Sequence, residues 1–141
     1  MKRALAIMAV LVAVCLVSLA FGASSSTTTT GDVAVGSVTG TGANINVSIG
    51  FTPRYVVVTN PTTTSPVRAE WFSGMTSGSC LKSVASGTSG SNVSGVAIVT
   101  NPTNTCIGTY AGSTTAAKGF TIQADSNLNI SGNTLYYRAE R

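Results

Sequence analysis

From residue 33 to the C-terminus, clusters of Gly, Pro, Asn and Ser recur about every ten residues, and the stretches between them are short and rich in Val, Ile, Thr and Tyr. Punctuation this dense leaves no segment long enough for an ordinary helix and divides the chain into many short strands. Composition agrees: only 9% of the 141 residues are charged, and Gly, Ser, Thr and Asn dominate the polar remainder.

Strands are expected over residues 33–38, 43–49, 54–59, 67–72, 80–85, 93–100, 106–110, 119–124, 127–130 and 134–139. In 43–49, Ile45, Val47 and Ile49 alternate with Asn44, Asn46 and Ser48, the period-two pattern of a strand with one buried face. The stretch 54–59, Arg-Tyr-Val-Val-Val-Thr, is the most β-prone and is expected to be central. Asn60-Pro61 and Asn101-Pro102 end their strands, and 106–110 reads as an edge. About eight to ten such strands in one chain predict an all-β fold, a single antiparallel β-sandwich or jelly-roll-like domain, following an N-terminal hydrophobic helix.

The N-terminus reads as an export leader. Lys2 and Arg3 precede an apolar run over residues 4–17, and small residues at Ser18, Ala20 and Gly22 place cleavage after Ala20 or Gly22. An uncleaved membrane anchor is the alternative, since residues 4–23, about twenty in all, just suffice to span a bilayer. The expected organisation is a signal peptide or anchor at 1–22, a Ser/Thr-rich flexible spacer at 23–32 and the β-domain at 33–141. Membrane contact is expected only through the N-terminal segment.

If Cys15 leaves with the leader, Cys80 and Cys106 remain as an even pair and are expected to form a disulfide in an oxidising compartment. In the cytosol they would instead be small buried thiols. The leader and the pair fit export, to the periplasm, the cell surface or the extracellular medium.

Charge points to no nucleic acid. Setting aside Lys2 and Arg3 leaves six scattered basic residues against Asp32, Glu70, Asp125 and Glu140, a net of about +2 without the clustering that phosphates require. Catalytic sets are equally hard to assemble. There is no His to act as general base, and two thiols without His cannot fill a zinc site. Glu70 and Asp125 are the best candidates for a glycosidase-type carboxylate pair. They read more simply as a charge on a solvated strand face and as a turn cap. Gly87-Thr88-Ser89-Gly90 lacks the Lys of a phosphate loop, and Gly40-Thr41-Gly42 lacks the rest of a dinucleotide fingerprint. No catalytic residue, metal or cofactor is expected.

Surface contacts are the remaining way to act. Trp71, Phe72, Tyr136, Tyr137 and Arg138 are the candidate interface, and with Phe51, Tyr55 and Phe120 the aromatics could form a sugar platform if several shared one exposed face. Core and interface packing is the simpler use for each, and alternation puts Tyr136 and Tyr137 on opposite faces. Asn46, Asn92 and Asn129 each begin a glycosylation triplet of a kind that a chain so rich in Asn and Ser produces by chance.

Three stretches carry a resemblance: Gly50-Phe51-Thr52-Pro53-Arg54-Tyr55-Val56, Ala69-Glu70-Trp71-Phe72-Ser73-Gly74-Met75, and Gly119-Phe120-Thr121-Ile122-Gln123-Ala124-Asp125 running on to Asn129 and to Gly132-Asn133-Thr134-Leu135-Tyr136-Tyr137-Arg138-Ala139. In that order they resemble small β-rich virion proteins of tailed bacteriophages and prophages, of the capsid-decorating type. The resemblance implies a non-enzymatic structural protein that forms a homo-oligomer or adheres to a lattice of virion subunits. The leader and the cysteine pair lie outside that pattern. They suit an exported bacterial surface or periplasmic module, for adhesion, glycan binding or a pilus-like assembly.

Overall fold

The computed structural model describes residues 25–61, 66–76, 78–85, 93–99 and 106–141. The expected leader or N-terminal helix and the second Asn-Pro stop lie outside these residues. The described part holds ten strands and no helix: β1 (Ser25–Thr30), β2 (Val33–Thr39), β3 (Ile45–Ser48), β4 (Tyr55–Asn60), β5 (Val67–Phe72), β6 (Cys80–Ala85), β7 (Val93–Val99), β8 (Ile107–Tyr110), β9 (Gly119–Ile122) and β10 (Thr134–Glu140). They form two antiparallel sheets, one of seven strands in the order β1-β2-β10-β4-β5-β6-β7 and one of three in the order β3-β9-β8.

The β-prone run of three valines sits where its composition suits it. β4 is the middle strand of seven, with Val56 and Val58 buried toward the small sheet and Val57 turned the other way. The C-terminal strand β10 fits between β2 and β4, next to the middle of the sheet.

Two expectations are corrected. The Ser/Thr tract expected as a flexible spacer is strand β1, paired with β2 over its whole length from Ser25↔Val38 to Thr30↔Val33. β-Branched threonines favour an extended backbone, and an edge strand needs only a partner's N–H and C=O groups, so all six side chains remain exposed. The strand expected at 127–130 is a turn. Asp125 Oδ1 accepts the backbone N–H groups of Asn127 and Leu128, each at 2.8 Å, and Asp125 O accepts that of Asn129 at 2.9 Å, which winds the segment tightly.

Both sheets feed one core. Val38, Val56, Val58, Val67 and Leu135 from the large sheet face Ile45, Ile107, Phe120 and Ile122 from the small one, and each such side chain contributes about 1.5–3 kcal/mol by leaving water. The Phe120 and Tyr137 rings meet edge to face across the gap, with centroids 5.2 Å apart. Leu128 fills the core from the 125–130 turn, whose carbonyl accepts the buried Asn60 side chain at 2.8 Å. Asn60 therefore anchors that turn as well as closing β4.

Gly36 shows why one glycine lies within a strand. It pairs with Tyr137, whose ring crosses it so that the phenol reaches the Thr27 hydroxyl on β1. A Cβ there would lie 2.6 Å from the phenol oxygen and overlap the Ser26 carbonyl. Gly36→Ala should displace β1 and cost about 1–3 kcal/mol. Limited proteolysis checks this, with cleavage of Ser25–Thr30 expected in the variant and not in the parent.

Candidate interaction surface

Because the small sheet covers only one face of the large one, alternation leaves the other face outward. The strand pairings set its side chains in rows. One row runs Val35, Arg138, Val57, Glu70, Leu81 across β2, β10, β4, β5 and β6. A second runs Ser37, Tyr136, Thr59, Arg68, Ser83, and a third Val33, Glu140, Tyr55, Phe72. Tyr136 is 55% exposed, Phe72 46% and Val35 44%, the large apolar side chains most open to water among the described residues.

The charges on this face are already paired. Arg68 Nε donates to Glu70 Oε1 at 2.7 Å, Tyr55 Oη donates to Glu70 Oε2 at 2.8 Å, and Arg138 Nε donates to Glu140 Oε1 at 2.8 Å. The Arg68 hydrogen bond, followed by that of Tyr55, holds the Glu70 carboxyl below its ordinary range. A lowered folded-state pKa means that Glu70 favours the fold above its unfolded pKa, and that this contribution fades as pH falls through the folded value. Burial and then the bond to Glu70 push the Tyr55 phenol up, so its contribution is present below its unfolded pKa and is lost in strong alkali.

The expected interface residues divide. Phe72, Tyr136 and Arg138 lie together on the outward face. Trp71 and Tyr137, 3% and 5% exposed, are turned into the core and are not available as contacts. The reason is phase: Trp71 shares its parity with Val67 and Ala69, and Tyr137 with Leu135 and Ala139, so each follows its strand's apolar side. The aromatics of a possible sugar platform are split as well: Phe51 and Phe120 are also buried, Tyr55 stands beside Phe72 on the outward face, and Tyr136 lies two rows and two strands from Phe72.

Glu70 and Asp125 are not brought together. Glu70 faces outward, whereas Asp125 is buried on the inner side and accepts two 2.7 Å hydrogen bonds from Lys82 Nζ. This inward ion pair joins β6 to the turn after β9, a contact across 43 residues for which the sequence carried no signal. Beside it, Cys80 and Cys106 form the expected disulfide, fully buried with Cα atoms 5.9 Å apart, and Gln123 Oε1 accepts the Cys106 N–H at 3.1 Å. A buried bridge of this kind suits an oxidising compartment. Of the sequon residues, Asn46 is exposed on β3, while Asn129 is buried and donates to the carbonyls of Ala43 and Gln123. Asn92 is outside the described residues.

Extending the β5–β6 register by one step from Glu70↔Leu81 sets Trp71 beside Cys80 on the inner face. Disulfides quench indole emission by accepting an electron from the excited ring. Trp71 should therefore fluoresce weakly at a blue-shifted wavelength. Replacing Cys80 and Cys106 with alanine should brighten it severalfold without a red shift, as steady-state emission spectra would show.

Among the described residues, no group of three or more His, Cys, Asp or Glu side chains could hold a metal ion, and no helix is long and apolar enough to cross a membrane. No protein family, curated protein or solved structure matches the chain.

Proposed function

We propose that the chain is a non-enzymatic structural protein of the virion type, a β-sandwich module that adheres to a lattice of capsid or tail subunits through its sheet surfaces. The observation that carries this reading is the seven-stranded sheet covered on one side only, whose open side presents Phe72, Tyr136 and Val35 among charges already neutralised in pairs. Such a face can be covered by another protein without stranding a charge. The domain behind it is stiffened by a disulfide between β6 and the start of β8 and by a buried ion pair between β6 and the turn after β9. The three phage-like stretches support the same reading. Density-gradient purification of particles from the producing cells, followed by mass spectrometry, tests it. The chain should sediment with the major capsid protein at fixed stoichiometry, and its absence from particles would refute the assignment.

A second reading, an exported surface or periplasmic adhesion module, is favoured by the disulfide together with the leader-like N-terminus. It would place the chain in the envelope or medium of cells that make no particles.

A further inference from the structure

The outward face of the large sheet is self-complementary about its central strand. We propose that two copies of this chain meet face to face there, related by a two-fold axis that runs along β4. The proposal rests on the assembly reading above and adds to it the partner, the face and the symmetry.

An axis along β4 carries each position on one side of that strand onto the matching position on the other. In the row Val35, Arg138, Val57, Glu70, Leu81, it brings Arg138 onto Glu70 of the second copy, Val35 onto Leu81, and Val57 onto itself. In the row Ser37, Tyr136, Thr59, Arg68, Ser83, it brings the exposed Tyr136 ring onto the Arg68 guanidinium, a cation–π pairing made twice, and serine onto serine. The third row matches only on the axis, at Tyr55, and sets Glu140 opposite Phe72 at the rim. A two-fold axis laid across the strands instead, through the row of Val57, would bring Arg138 onto Arg138 and Glu70 onto Glu70. Repulsion therefore selects the axis along β4.

Each charge keeps its own-chain partner in either state, so dissociation leaves none bare. Five strands by three rows make about 500 Å² of flat sheet per copy. With side-chain relief this approaches the roughly 800 Å² per partner of a standard interface, which sets a weak dimer dissociating at about micromolar concentration.

Sedimentation equilibrium of the full-length chain, as processed by its host, tests the proposal. The parent should show a monomer–dimer equilibrium. R138E sets carboxylate against carboxylate in both halves of the interface, and E70R sets guanidinium against guanidinium, so each variant alone should dimerise at least tenfold more weakly. An equimolar mixture of the two restores both contacts and should recover a heterodimer. A parent that stays monomeric to about 300 µM, variants that dimerise like the parent, or a mixture of folded variants that stays monomeric would overturn it. Should either charge variant fail to fold, Tyr136→Ser at the exposed ring carries the same test, with tenfold weakening expected and an unchanged dimer contradicting it. A monomeric chain that is nevertheless found in particles would remove the dimer and leave the virion reading standing. A dimeric chain absent from particles would do the reverse.

Discussion

Replacing Cys80 and Cys106 together with alanine should lower the stability of the domain by roughly 3 kcal/mol, the loop-closure contribution of a bridge spanning 26 residues. The effect should be large because of what the bridge joins. Cys80 begins β6 in the seven-stranded sheet, and Cys106 immediately precedes β8 at the edge of the three-stranded one. Without it, β8 keeps its pairing with β9, the Gly78 N–H to Ile107 carbonyl bond at 3.2 Å and its share of the core. Urea unfolding followed by far-ultraviolet circular dichroism should show a lower midpoint and a steeper slope, because the unbridged denatured chain exposes more surface. An unchanged midpoint would mean that the bridge does not constrain the unfolded chain.

Asp125→Ala should cost about 3–5 kcal/mol, because it leaves the buried Lys82 ammonium without a counter-charge. It also deprives the Asn127 and Leu128 N–H groups of their acceptor. Lys82→Met should cost less, about 1–3 kcal/mol, since the methylene stem is kept and the carboxylate left behind still accepts two backbone hydrogen bonds. The asymmetry is the informative part. Equal losses in urea unfolding would show that the turn at 125–130 does not depend on its carboxylate cap. A larger loss for Lys82→Met would mean that the amine has a further role.

Much of this architecture can be read along the chain, because alternation is a local property. The valines of β4, the Ile45-Val47-Ile49 series and the two aromatic pairs all declare their faces once the phase of their neighbours is considered. Applied to Trp71 and Tyr137, the same phase rule assigns both to the core, since each shares its parity with alanines and aliphatic residues in its own strand. β1 escaped detection because its evidence is purely backbone: a tract of Ser and Thr buries nothing, and only β2 lying beside it makes it a strand. Over 127–130, Leu128 and Ile130 imitate the period two of a strand, while the capping by Asp125 depends on N–H directions that spacing does not reveal. Strand order and the Lys82–Asp125 pair are long-range facts. Nothing local says that β10 fits between β2 and β4, or that a lysine on β6 finds a turn 43 residues later.

The outward face is also a product of that long-range order. Arg138 and Glu70 are symmetric about Val57 only because β10 and β5 flank β4. The residues that would carry assembly are thus visible singly in the sequence and become a surface only in the folded sheet.

The most direct test compares hydroxyl-radical footprints of the dilute, dissociated chain with those of the chain in its assembled form, quantified residue by residue. In the free chain, Phe72 and Tyr136 should be oxidised readily while Trp71 and Tyr137 are spared, and on assembly the first two should become protected. Equal labelling of Phe72 and Tyr136 in both states, or strong oxidation of Trp71 in the free folded chain, would contradict a domain that turns one face of its large sheet inward and uses the other to bind.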